Sequence, residues 1–162
     1  MSKYFITQDK DRCIGCLSCE IYCRQNKELG EGPRLCQIMT FSKGKVQGVP
    51  RESYVYMGCY HCQNPVCVAA CPTGAMKKRP EDGIVHVDTE LCVGCKACMV
   101  ACPWGAVQWN PETEKVVKCD LCKDRLDKGL KPVCVTICTT GCLSLNEMDQ
   151  GEDQAGKKAV GQ

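Results

Sequence analysis

Cys92-Val93-Gly94-Cys95-Lys96-Ala97-Cys98-Met99-Val100-Ala101-Cys102-Pro103-Trp104-Gly105-Ala106 is the stretch on which the rest of the chain is read. Its spacing is C-x2-C-x2-C-x3-C, closed by Pro-x-Gly-Ala. The closing pattern recurs at Cys71-Pro72-Thr73-Gly74-Ala75. It recurs again at Cys138-Thr139-Thr140-Gly141-Cys142, with Pro and Ala replaced. An internal repeat is therefore present. Working outward, the cysteines fall into four groups. The first is Cys13, Cys16, Cys19 and Cys23, with the same spacing as the third. The second is Cys59, Cys62, Cys67 and Cys71, with four residues in its middle gap. The third is Cys92, Cys95, Cys98 and Cys102. The fourth is Cys119, Cys122, Cys134 and Cys138, with eleven residues in its middle gap. Cys36 and Cys142 stand outside, and the alignment puts Cys142 at the Ala position, as a small buried residue near the site.

The spacing has a chemical meaning. A cubane iron–sulfur cluster needs four thiolates converging on one small object. C-x2-C-x2-C wraps a tight loop around such an object, with backbone N–H groups turned inward to offset its negative charge. The fourth cysteine lies one helical turn further on. In two-cluster ferredoxins that cysteine ligates the other cluster. Zinc ribbons also use C-x2-C pairs, but they lack the third cysteine and the C-x3-C-P ending. A disulfide framework would require an oxidising compartment.

Composition points the same way. Eighteen of 162 residues are cysteine, against two Phe and two Trp. A chain so poor in large apolar side chains cannot stabilise itself by burial alone. Something bound to the thiols must supply much of the interior. The formal charge is +2, and four thiolate-ligated cubanes would bring it to about −6. That argues against a nucleic-acid partner. Residues 1–12 hold no apolar core, twin arginine or small-residue cleavage site. No apolar run reaches the roughly 18 residues of a membrane span. The expectation is a cytoplasmic chain without direct membrane insertion, unless a partner subunit carries an export signal for both.

Turn signals divide the remainder. Residues 75–78 and 84–88 flank Arg79-Pro80-Glu81-Asp82-Gly83, and residues 106–110 and 116–118 flank Pro111-Glu112-Thr113. Both read as β-hairpins. Short helices are expected over residues 17–27, 65–71, 96–102 and 132–138. Residues 4–7 and 143–145 read as a terminal strand pair. Residues 35–49 read as an inserted hairpin turning at Lys43-Gly44. Residues 147–162 are polar and Gly-rich, which predicts a mobile tail.

The four groups, in this order and with these gaps, resemble the four-cluster electron-transfer subunits of molybdenum and tungsten enzymes. Relatives of that kind include the iron–sulfur subunits of dimethyl sulfoxide reductase and formate dehydrogenase, and polyferredoxins accompanying tungsten aldehyde oxidoreductases. The resemblance spans residues 4–145. It implies an α+β fold of two ferredoxin-like halves with pseudo-two-fold symmetry. The inner half would cover about residues 53–118. The outer half would be built from residues 1–35 and 119–146, with the hairpin at about 35–49 inserted. The resemblance further implies four [4Fe–4S] clusters with nested ligation. Cys13, Cys16 and Cys19 would join Cys138, and Cys119, Cys122 and Cys134 would join Cys23. Cys59, Cys62 and Cys67 would join Cys102, and Cys92, Cys95 and Cys98 would join Cys71. Spacing alone leaves this pairing open, although it favours the second and third groups as one unit.

The implied role is a relay of single electrons, with no catalytic residue in this chain. One partner would be a separate catalytic oxidoreductase subunit carrying pterin-bound molybdenum or tungsten, of the aldehyde oxidoreductase or formate dehydrogenase kind. The other would be a second redox protein. Exposed end sites would also allow self-association into a chain. A freely diffusing polyferredoxin with several clients and a structural or sensing iron–sulfur protein are the alternatives. Among other residues, Cys36 reads as a free thiol in or near the core. His61 reads as a hydrogen-bonding neighbour of a cluster rather than a ligand. Trp104 reads as packing over a cluster. Lys77, Lys78 and Arg79 read either as a solvated hairpin face or as a dock for an acidic partner.

Overall fold

The computed structural model describes residues 2–148. Strand β1 (Tyr4–Gln8) is followed by helix α1 (Ser18–Asn26), β2 (Gln37–Val46) and β3 (Val49–Met57). Then come α2 (Val66–Ala69), β4 (Met76–Lys78), β5 (Val85–Val87) and α3 (Ala97–Ala101). The order ends with β6 (Val107–Asn110), β7 (Lys115–Lys118), α4 (Lys123–Leu126), α5 (Val133–Thr136) and β8 (Leu143–Glu147). The strands form four separate antiparallel pairs, β1–β8, β2–β3, β4–β5 and β6–β7. The fold is α+β, built from short helices and two-stranded sheets.

Two-stranded sheets and single-turn helices cannot be stable alone, so each leans on its neighbours. Helix α2 packs on α3, β4 on α2 and β6 on α3. Met76, Val85, Val107 and Val116 meet there with Cys67 and Cys98 in one core. Helix α1 packs on α5, and α5 on β8. Cys19, Cys134, Cys142 and Leu143 form the core between them. Middle segments thus pair with middle segments, and the two ends of the described residues pair with each other. Ser2 and Lys3 tie the ends to the middle: Ser2 Oγ and Lys3 N both donate to the Asp82 carbonyl, at 3.2 and 2.7 Å.

The hairpins after the second and third groups lie where their turn signals place them, and the terminal strands pair as expected. The inserted hairpin differs. Val46 pairs with Val49, so the turn is Gln47-Gly48, not Lys43-Gly44. Both turn residues have positive φ, 51° and 82°, as a two-residue primed turn requires. The register jumps from Ser42↔Glu52 to Lys45↔Pro50, so Lys43 and Gly44 together oppose Arg51. They form a bulge that bends the ribbon, and the hairpin extends to Met57, beyond the expected residue 49. Glu147 pairs with Tyr4, so order continues into the expected tail. The rest of that tail from residue 149 lies outside the described residues.

Candidate metal centres

Each of two matching thiol loops is bent by residues in the left-handed region. Gly15 and Leu17 have φ of 67° and 59°, and Gly94 and Lys96 have φ of 70° and 61°. Leu17 and Lys96 then cap α1 and α3. The repeated ending has its own device: Gly74, Gly105 and Gly141 all sit near φ of +60° (67°, 60° and 61°). Each donates its N–H to the carbonyl of the cysteine three residues back. That is why glycine stands at all three positions. The turn brings Met76 N–H to 3.4 Å from Cys71 Sγ. His61 and Leu121 make matching backbone N–H contacts to Cys59 and Cys119, each at 3.4 Å.

Three cavities gather the thiols. One, of about 320 Å³ including its mouth, is lined by Cys13, Cys16, Cys19 and Cys138 (site 1). Another, of about 370 Å³, is lined by Cys59, Cys62, Cys67 and Cys102 (site 3). A third, of about 310 Å³, is lined by Cys71, Cys92, Cys95 and Cys98 (site 4). In each, three thiols come from one group and one from another, and Cys142, outside the groups, is a fifth thiol on the wall of site 1. Of the expected set Cys23, Cys119, Cys122 and Cys134 (site 2), Cys119 is half-buried and the other three are buried. Cys23 and Cys119 share a core with Leu35 and Cys36, and the charges of Cys23 and Cys122 bear on Cys134.

Contacts between sites fix their order. Cys36, buried at 3% exposure, lies close to Cys19 of site 1 and Cys23 of site 2, and their proximity pushes its thiol far up. Cys59 of site 3 and Cys119 of site 2 line a common cavity. Cys67 of site 3 and Cys98 of site 4 share one core. The sites therefore follow one another as 1, 2, 3, 4.

Burial dominates the thiol electrostatics. It pushes Cys98 up to about 11 and Cys134 up to about 12, with neighbouring thiolates adding to both. Burial likewise raises Cys67, Cys119 and Cys122. Four thiolates crowded in a low-dielectric space repel one another unless positive charge sits among them. The donor set is soft sulfur throughout, which suits iron–sulfur clusters. Among the described residues, no three His, Cys, Asp or Glu side chains converge closely enough for a single metal ion. The thiols ring a space rather than meeting at a point, which fits a polynuclear core better than a mononuclear zinc.

Other residues take definite places. His61 is buried at 1% exposure. Val85 N–H donates to its Nδ1 at 2.9 Å, so the ring proton sits on Nε2, which has no partner among the described residues. Burial holds its imidazole well below the usual range, in the neutral form. His61 lines the wall of the site 3 cavity. Trp104 lines the same cavity and meets Tyr60 at 5.0 Å between ring centroids. Cys142 is buried beside Cys138, their sulfurs 3.4 Å apart. The basic run is committed internally: Lys77 pairs with Asp88 at 2.7 Å, Lys78 donates to the Gln63 carbonyl at 2.7 Å, and Arg79 pairs with Asp82 and Asp127.

Cysteine spacing does not single out two further residues that bear on the sites. Tyr56 on β3 donates its hydroxyl to Cys134 Sγ at 3.6 Å. Lys118 is buried on β7. Strand alternation carries a signal for Lys118, because it shares a face with the buried Val116. Helix α4 is likewise absent from the sequence-based expectation; its entrance is an Asx turn, with Cys122 N–H donating to Asp120 Oδ1 at 3.0 Å.

Comparison with known proteins agrees with this chemistry. A family model described as a 4Fe-4S dicluster domain matches residues 51–148. The thiosulfate reductase electron transfer subunit of Salmonella typhi is 37% identical, covering 98% of this chain and 84% of its own length. The B subunit of the anaerobic dimethyl sulfoxide reductase of Escherichia coli K12 is 38% identical, covering 98% and 80%. The B subunit of the polysulfide reductase of Wolinella succinogenes is 38% identical, covering 96% and 82%. With its thiol loops, its thiol-lined cavities and these relatives along nearly its whole length, the protein belongs to the 4Fe-4S dicluster family of iron–sulfur electron-transfer subunits, and is not a catalytic subunit.

Proposed function

We propose that the chain holds four [4Fe–4S] clusters, one at each site, and relays single electrons between a catalytic subunit and a second redox protein. The observation that carries this reading is the crossed lining of the cavities, with Cys102 beside the second group's thiols and Cys71 beside the third's. Each C-x3-C helix turn would then join two neighbouring sites, and the nested ligand sets follow. Two ferredoxin-like halves with pseudo-two-fold symmetry, an inner one over about residues 53–118 and an outer one around it, are part of the same proposal. When bound, a [4Fe–4S] cluster accepts and releases one electron at a time.

The chain's own residues hold the thiols in register, direct backbone N–H groups at sulfur and bury three of the four thiols of site 2. The end sites are more open. Cys16 and Cys95 are exposed, and beside them Ile14 and Val93 are 61% and 68% exposed. Apolar residues around an exposed ligand suit partner docking at both ends.

The three relatives are named for reductases of thiosulfate, dimethyl sulfoxide and polysulfide. We therefore propose a reductase of that type, with pterin-bound molybdenum or tungsten, as the catalytic partner, ahead of an aldehyde oxidoreductase or formate dehydrogenase. No helix among the described residues is long and apolar enough to cross a membrane. A reducing compartment such as the cytoplasm is proposed as its setting.

Anaerobic native purification, with iron and sulfide analysis and mass spectrometry of co-purifying proteins, tests this reading. About sixteen irons per chain are expected from four cubanes, together with a larger oxidoreductase subunit. Zinc, or iron for only two clusters, would overturn it.

A further inference from the structure

Lys118 is a lysine in an unusual place. It is 5% exposed. Its Nζ donates to the Cys119 carbonyl at 2.6 Å and to the Val85 carbonyl. An ammonium has three donors, and among the described residues the third has no protein acceptor. Among the same residues no carboxylate lies within ion-pair distance of it. A buried cation without a counter-charge is costly unless negative charge lies nearby. The groups that meet this need are thiols. Lys118 lines the site 3 cavity, and its charge bears on Cys67 of site 3 and Cys119 of site 2.

Two other lysines close to thiol sites behave differently. Lys27 bears on Cys23 and Cys122, but Asp120 neutralises it at 2.8 Å. At the far end, Lys96 is exposed and lies over the Trp109 ring at 3.9 Å, where water screens it. The uncompensated internal charge thus falls between sites 2 and 3.

We propose that Lys118 is an electrostatic tuning residue, whose buried ammonium raises the reduction potentials of sites 2 and 3 above those they would otherwise have. This rests on the reading of those sites as cubane centres. The sign follows from charge: reduction adds an electron beside a fixed cation in a low-dielectric interior, so the reduced state is favoured. The same charge favours an added electron on sites 2 and 3 relative to those sites without it. Lys118 would also supply the internal counter-charge for the thiolate-bound cores that flank it.

The test uses the anaerobically prepared full chain, titrated by redox-poised electron paramagnetic resonance alongside iron analysis. Lys118→Met keeps the stem and removes the charge; Lys118→Arg keeps the charge. In the Met variant, two of the four centres are expected to fall in potential by at least a tenfold change in their reduction equilibrium, or 59 mV per electron. The other two should move little, and the Arg variant should stay near wild type. If the Met variant instead loses about half its iron while the Arg variant is full, the demand for charge at the middle sites is upheld. Full iron with unchanged potentials in the Met variant overturns the proposal. So does equal damage in both variants, which would make Lys118 a packing residue. A wild-type chain without cubane iron would sink the reading of the sites and this proposal with it, whereas a cubane-loaded chain whose potentials ignore the Met variant sinks the role of Lys118 alone.

Discussion

Replacing Gly94 by Ala should empty site 4, whereas replacing Gly74 by Ala should only weaken it. Both glycines stand near the same thiols, at φ of 70° and 67°. Forcing a residue with a Cβ into that region costs about 1–2 kcal/mol in either case. Their surroundings differ. A Cβ on Gly74 meets nothing within 4 Å. A Cβ on Gly94 would sit 2.5 Å from the Glu114 backbone oxygen and 3.2 Å from the Trp109 ring. The carbonyl belongs to the β6–β7 turn and cannot rotate away as a side chain would. Overpacking of this kind adds about 1–3 kcal/mol. The difference between the variants corresponds to roughly 5- to 150-fold in an equilibrium constant. Iron release to a chelator, followed anaerobically across a urea series, reads it directly. The Gly94 variant should lose about a quarter of its iron, one cubane in four, at denaturant levels where the Gly74 variant is full. Equal behaviour of the two, or a Gly94 variant indistinguishable from wild type, would show that the close approach of the hairpin does not hold the loop.

Cys138→Ser should remove the centre assigned to site 1, since Cys138 lines that cavity with Cys13, Cys16 and Cys19. Electron paramagnetic resonance showing site 1 intact and site 2 lost would refute the nested pairing. Tyr56→Phe deletes the hydroxyl that donates to Cys134 Sγ. It should keep all iron and lower one potential by a few-fold in equilibrium, in keeping with a net hydrogen-bond contribution of about 1 kcal/mol; an unmoved potential in a full protein would place the hydroxyl elsewhere. Stripping the metal should abolish the fold, because the cores are built around thiols that repel when emptied of positive charge. Far-ultraviolet circular dichroism should lose its signal on chelation, and a chain that stays ordered would contradict this.

Legibility in the sequence follows the range of the contacts involved. The Cys-x-x-Gly endings and the hairpins at residues 79–83 and 111–113 all rest on contacts within a few residues. Local hydrogen bonds and φ restrictions write such features directly into spacing. The inserted hairpin is less legible because it contains two turn signals, Lys43-Gly44 and Gln47-Gly48. Which becomes the turn depends on the cross-strand register, in which Val46 pairs with Val49. Helix α4 escapes a sequence reading because its four residues, three of them charged, are too few to show a period.

Sequence by itself determined the metal chemistry, because a thiol loop is a local object whose spacing fits one kind of guest, and the resemblance carried by those loops pointed to the electron-transfer class. Tertiary structure alone decided which loops lie beside one another, that His61 is buried with an unpartnered ring N–H, and that Lys118 is buried against the site 3 cavity beside Cys119. Those facts depend on segments tens of residues apart being packed into one low-dielectric interior, where a charge or an orphaned N–H acquires consequences that no local pattern encodes.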